Sequence, residues 1–160
     1  MASIDDWAAI VASSLDWQQA HTGFDNAIKG LAPGLRGTRP AGFPHSIWEL
    51  VDHIRRTQTD LLEFCANSSY EEIKWPDDYW PSSPAPASDA AWNESIAALL
   101  RDRKAFAEFT TNNAATLTNK IPWGTGQTFL RTVLVAVDHS SQHVGQIIAV
   151  RRLLNAWPPV

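Results

Sequence analysis

Apolar residues recur at three- and four-residue intervals over four long stretches of the chain, the spacing of amphipathic helices, with breaker-rich joints between them. The first stretch predicts a helix from about Ile4 to Leu31, with Ser3 as N-cap and Asp5 and Asp6 in the first turn, where carboxylates complement the helix dipole. Pro33, Gly34, Gly37, Pro40, Gly42 and Pro44 then force a loop. The second helix is predicted over Ile47 to Ala66, behind the capping box Ser46-Ile47-Trp48-Glu49. Its apolar stripe is Ile47, Leu50, Val51, Ile54, Leu61, Leu62 and Cys65. Residues 67–87 carry Tyr70, Trp75, Tyr79 and Trp80 among four prolines, which reads as a long aromatic loop packed on the surface. A third helix starts at about Asp89 behind Ser88 and fades around Asn112; a fourth spans about Thr128 to Asn155. Strand signals are nearly absent. The pattern predicts an all-α fold, a four-helix bundle with the aromatic loop between helices two and three.

Composition narrows what such a fold can be doing. The 160 residues suit a single domain, 1–160, and 44% hydrophobic residues can build a core. Thirteen basic against seventeen acidic side chains give a net charge of −4. That balance predicts no nucleic-acid partner and no polybasic membrane contact. No window offers the roughly 18 apolar residues of a membrane span. The single cysteine, Cys65, excludes an intrachain disulfide and fits a reducing, cytoplasmic setting. Its place on an apolar stripe makes it a core residue rather than a reactive thiol. Eight tryptophans suggest a large aromatic core or pocket.

Candidate chemistry lies in the histidines. His139 and His143 are four residues apart in the fourth helix, hence about 40° apart around its axis and one turn apart along it. Two imidazoles so placed can reach one metal ion, although such pairs also occur as satisfied core histidines. A divalent site wants a third protein ligand. His53, at the margin of the second helix's stripe, supplies one if helices two and four are neighbours; His45, just before the capping box, is the alternative. On the first helix Ser14, Gln18, His21 and Asp25 fall within about 60° of one another on an otherwise apolar face. They form either a small satisfied network or the polar wall of a cavity opposite the metal. Glu49 is either a support for His53 or simply the capping-box carboxylate. Gln146, three residues after His143, either orients that ring or packs between helices.

Other chemistries lack their signatures. There is no His-Glu-x-x-His motif, no Glu-x-x-His pair of a di-iron bundle, no glycine-rich phosphate loop and no Gly-x-Ser-x-Gly turn. Two segments are more telling: His45-Ser-Ile-Trp-Glu-Leu-Val-Asp-His-Ile54 and Asp138-His-Ser-Ser-Gln-His-Val-Gly-Gln-Ile-Ile148. Together with Tyr79-Trp80-Pro81 and the Arg151–Pro159 tail, they resemble the DinB-like superfamily. The resemblance implies a four-helix bundle with an up-down-down-up course. It also implies one divalent metal ion held by His53, His139 and His143, with zinc or nickel the expected ion. Relatives of this kind include thiol-dependent isomerases and S-transferases using mycothiol, bacillithiol or glutathione. The resemblance thus implies a metal-dependent enzyme acting on a small-molecule substrate with a low-molecular-weight thiol, in a homodimer. The alternatives are a metal-dependent hydrolase and a stress-related protein that holds a metal or small ligand without turnover.

Overall fold

The computed structural model describes residues 3–17 and 20–158. It is all-α. Five helices follow one another: α1 Ile4–Ser14, α2 Phe24–Ile28, α3 Ile47–Ala66, α4 Asp89–Asn112 and α5 Phe129–Leu153, with short 3-10 turns at Pro33–Leu35, Asp77–Tyr79 and Ala114–Thr116. No strand occurs among the described residues; Lys120 and Thr128 form one isolated bridge. No helix among them is long and apolar enough to cross a membrane.

Side-chain caps set where these helices begin. Ser3 with Asp6 and Ser46 with Glu49 both close full capping boxes, satisfying donors that the first helical turn leaves free. Ser88 and Thr128 accept the backbone N–H of Ala91 and Arg131 to open α4 and α5. At the far end of α5, Arg151 and Arg152 sit in the last turn, where cations suit the dipole.

The first predicted helix is corrected: it is two helices, not one. Leu15 and Asp16 bond back only three residues, to Ala12 and Ser13, and the Ser13 and Ser14 hydroxyls do the same to Ile10 and Val11 carbonyls. Such local side-chain bonds compete with helix propagation. Gly23 is extended (φ −76°, ψ 170°) and serves as N-cap of α2. Gly30, at φ 64°, turns the chain just after α2. The single helical register that put Ser14, His21 and Asp25 on one face therefore does not exist.

Helix α3 is the centre of the packing, lying against both α4 and α5, while α1 packs on α4 and α2 on α5. The main core joins Phe24, Ile47, Leu50, Ile54, Leu99, Val144, Ile147 and Val150. A second cluster joins Cys65, Phe106, Ile121, Val133 and Ala136. Burying side chains of this size contributes about 1.5–3 kcal/mol each. Cys65 is 2% exposed, and burial pushes its thiol up to about 12. It packs as a small apolar residue.

Polar bonds fix the register of α3. Gln58 donates to the Leu99 carbonyl at 2.7 Å and Thr59 to Asp102 at 2.6 Å, both on α4. Asp52 accepts from Arg55, Arg56 and, across to α4, Ser95. The segment between α3 and α4 folds back over this helix. Its residue 84 carbonyl accepts from Ser46 at 2.5 Å, and Gly37 lies so close that a Cβ there would come within 2.3 Å of the Ala85 Cβ. Only a glycine admits that approach. The folding back carries Tyr79 and Trp80 onto α3.

Candidate metal centre

The ligand-type atoms of His53, on α3, and of His139 and His143, on α5, all lie within 4.8 Å of one another. Helical periodicity explains half of this, since residues 139 and 143 stack on one edge of α5. The packing of α3 against α5 explains the rest. His53 is 2% exposed and His143 8% exposed; His139 is half-buried.

The hydrogen bonds of these rings fix which nitrogen is free. His53 Nδ1 lies 2.8 Å from the Tyr79 carbonyl oxygen. A carbonyl only accepts, so Nδ1 carries the proton and Nε2 presents a lone pair. His143 Nδ1 lies 2.6 Å from Gln146 Oε1, which orients that ring in the same sense. His139 Nε2 is 3.0 Å from His53 Nε2. Two ring nitrogens this close need a positive centre between them, either a ring proton of His139 or a cation. A carbonyl or amide oxygen behind a liganding histidine is the arrangement that orients imidazoles for a metal.

Electrostatics keeps the rings neutral. Burial pushes His53 down to about 4, against the opposing pull of its bond to Tyr79. Burial, and then the neighbouring His143, push His139 down to about 3. His143 is lowered by burial despite Gln146. Neutral imidazoles at pH 7 have their lone pairs available without first losing a proton.

Two buried side-chain atoms find no hydrogen-bond partner among the described residues, Arg36 Nε and the Thr57 hydroxyl. Thr57 stands one turn beyond His53 on α3 and is 9% exposed. Its hydroxyl is buried and finds no hydrogen-bond partner among the described residues. Thr59, Thr110 and Thr132 each bond back to the carbonyl four residues earlier; Thr57 does not. A buried hydroxyl left without a partner costs about 1–3 kcal/mol. The donor set and the oxygens behind two of its rings fit a divalent cation.

The remaining candidates fall elsewhere. Gln18 lies outside the described residues. His21 is exposed and its Nδ1 meets the Thr22 carbonyl at 3.1 Å. Asp25 is exposed and pairs with Arg103 at 3.5 Å. His21 and Arg103 border a crevice of about 30 Å³, room for roughly one water, whose wall also includes Ser14, Ser140 and Val144. Neither His21 nor Asp25 joins the three imidazoles. Glu49 closes the capping box on Ser46 and pairs with Arg39. Burial acts to raise its pKa, but the Arg39 and Ser46 hydrogen bonds outweigh burial and hold the carboxyl below its usual range. It makes no hydrogen bond to His53. His45 is half-buried and stacks on the Trp80 indole, ring centroids 4.2 Å apart.

Three contributors escaped the sequence reading. Trp80 stacks on His53 as well as on His45, with a centroid separation of 3.8 Å and an interplanar angle of 3°. The Tyr79 carbonyl holds the proton of His53. Asp60 anchors Tyr79 from below through the phenol, at 2.7 Å. The tryptophan was visible as part of an aromatic loop; a backbone carbonyl leaves no trace in residue identity.

The family model of the DinB superfamily matches residues 16–147, which include all three imidazoles and most of the 160-residue chain. No curated protein and no solved structure matches significantly. On the family match, over far more than half its length, the chain belongs to the DinB superfamily.

Proposed function

We propose that this protein is a divalent-metal-dependent enzyme of the thiol S-transferase type, with zinc or nickel held by His53, His139 and His143. We read the helices as the four-helix bundle of the superfamily with an up-down-down-up course, α1 and α2 together making its first member. A cytoplasmic homodimer acting on a small electrophile and a low-molecular-weight thiol completes the proposal.

The observation that carries it is the size of the donor set. Among the described residues three imidazoles converge and no fourth histidine, cysteine, aspartate or glutamate joins them. Structural zinc sites are closed by four protein ligands, whereas catalytic ones keep a position for an exogenous ligand. When bound, the ion would lower the pKa of a thiol and keep it as the thiolate, the attacking species. The chain's own residues supply the rest. The Tyr79 carbonyl and Gln146 hold two rings in their metal-binding tautomers. Trp80 covers one face of His53 and excludes water from it. We assign the hydrogen bond to the incoming ligand to the unpaired Thr57 hydroxyl, one turn from His53 on α3. In the overall reaction the sulfur bonds to an electrophilic carbon, a leaving group departs with its electron pair, and the thiol proton passes to water.

The test is thiol consumption by metal-reconstituted protein. Glutathione, mycothiol and bacillithiol are each offered with 1-chloro-2,4-dinitrobenzene, and chloride release is followed. One thiol is expected to be consumed faster with protein than without. Thr57→Val, nearly the same shape, is expected to lower kcat/KM roughly tenfold, the worth of one hydrogen bond. It should leave the melting temperature unchanged or raised, because it removes an unpaired buried hydroxyl. Metal-loaded protein that consumes none of the three thiols would remove the transferase reading. Hydrolysis of activated esters by the same preparation would favour the hydrolase instead.

A further inference from the structure

We propose that Asp60 is a positioning residue for the metal centre, acting on His53 through Tyr79. The inference rests on the metal-binding reading above. It assigns a role to a carboxylate that lies two turns of α3 away from the liganding ring.

The chain of contacts is short and each link is a hydrogen bond. The Asp60 carboxylate accepts from two phenols, Tyr70 to Oδ1 at 2.8 Å and Tyr79 to Oδ2 at 2.7 Å. Both phenols are held above their usual range by burial first and by their bonds to Asp60 second, so both remain donors throughout the physiological range. Tyr79 is thereby fixed at one end by its hydroxyl. Its other end, the backbone carbonyl, takes the Nδ1 proton of His53 at 2.8 Å. The next residue, Trp80, stacks on the same imidazole.

Positions 53, 56 and 60 follow the i, i+3, i+7 spacing of one helix face, and all three grip the same short turn. Arg56 Nη1 donates to the Asp78 carbonyl at 3.0 Å, midway between the contacts made by His53 and Asp60. The turn Asp77–Tyr79 is otherwise exposed or half-exposed, and its own bonds, from the Asp78 and Tyr79 N–H groups to the Lys74 and Pro76 carbonyls and from the Lys74 N–H to the Asp78 carboxylate, tie it to residues 74–76 rather than to α3. A segment so short does not hold a carbonyl in place by itself. Asp60 supplies the remote fixed point, and the carbonyl is aimed at His53 as a consequence. The liganding nitrogen of His53 is then set by a lever whose far end is a carboxylate.

Tyr70 provides an internal control. It bonds to the same carboxylate, but its own backbone does not touch an imidazole. Purified full-length protein is titrated with cobalt(II), and the ligand-field absorption bands report both affinity and geometry. Tyr79→Phe is expected to weaken cobalt binding about tenfold, the lower end of the 10–100-fold range for groups behind a ligand, and to shift or broaden the bands. Tyr70→Phe is expected to stay within about twofold of the unsubstituted protein with unchanged bands. Asp60→Asn, which keeps one accepting oxygen, should fall between them. Tyr79→Phe with unchanged affinity and bands would overturn the proposal, as would equal losses in the two tyrosine variants, which would signify general loosening instead. Failure of the unsubstituted protein to bind cobalt would overturn the metal reading itself, and this role with it; the two failures are distinguished by which protein shows them.

Discussion

Addition of zinc or nickel to metal-free protein is expected to raise its melting temperature by roughly 10 °C at a thousandfold excess over Kd. A ligand that binds only the folded chain stabilises it by about 4 kcal/mol at that ratio, and about 1 kcal/mol moves the midpoint 2–4 °C in a protein of this size. The binding residues come from α3 and α5, 86 positions apart between His53 and His139, so the unfolded chain offers no comparable site. Acid should expose the same cluster in metal-free protein. The folded pKa values of about 4 for His53 and about 3 for His139 lie below the ordinary value of about 6.5. Protons therefore bind the unfolded chain first as pH falls. Stability is present above about pH 6.5 and is lost progressively from there down through the folded values. Thermal melts between pH 7.5 and 4 check both statements. A midpoint indifferent to metal, or flat across that pH range in its absence, would contradict them.

Arg151→Ala is expected to destabilise the protein by about 4 kcal/mol, while Arg152→Ala changes stability by less than about 0.5 kcal/mol. Arg151 is 1% exposed and pairs with no carboxylate among the described residues. Its guanidinium is solvated by backbone instead: Nη1 donates to the Ala27 and Lys29 carbonyls at 2.7 and 2.8 Å, and Nε to Ala156 at 2.9 Å. It also lies over the Trp157 ring. These bonds tie the end of α2 and the chain after α5 to one point. Hydrogen bonds to a charged group are each worth about 1.5–3 kcal/mol, and alanine leaves three carbonyls to find other partners. Denaturant melts of the two single variants separate this role from a general effect of lost positive charge. Equal, small losses in both would contradict it.

How much of this was legible beforehand differs from element to element. The limits of α3, α4 and α5 could be read closely because Ser46, Ser88 and Thr128 advertise helix starts and the apolar spacing behind each is clean. The first helix could not, because apolar residues on either side of a break can keep helical spacing by chance. His21-Thr22-Gly23 was the local sign of an interruption, and Gly23 became a cap. The three imidazoles were named from spacing and resemblance, and α3 packs against α5 as that required. Asp60, the Tyr79 carbonyl and Thr57 were missed for physical reasons. A loop returning over a helix pairs residues 19 positions apart with no periodicity to announce it. A hydroxyl's lack of a partner is a property of the packed state alone. Arg151 was closer to visible: it continues the Val144–Ile147 stripe at i+7 and i+4, so a buried guanidinium could have been anticipated there.

The metal content of purified protein, measured beside a His143→Ala variant, addresses the convergence of the three rings most directly. The variant removes one donor atom and the ring that Gln146 orients, without touching the Tyr79 support of His53. Near-stoichiometric zinc or nickel in the unsubstituted protein and almost none in the variant is the predicted outcome. Equal content in the two, whether high or nil, would contradict the existence of this centre and leave only the helical fold.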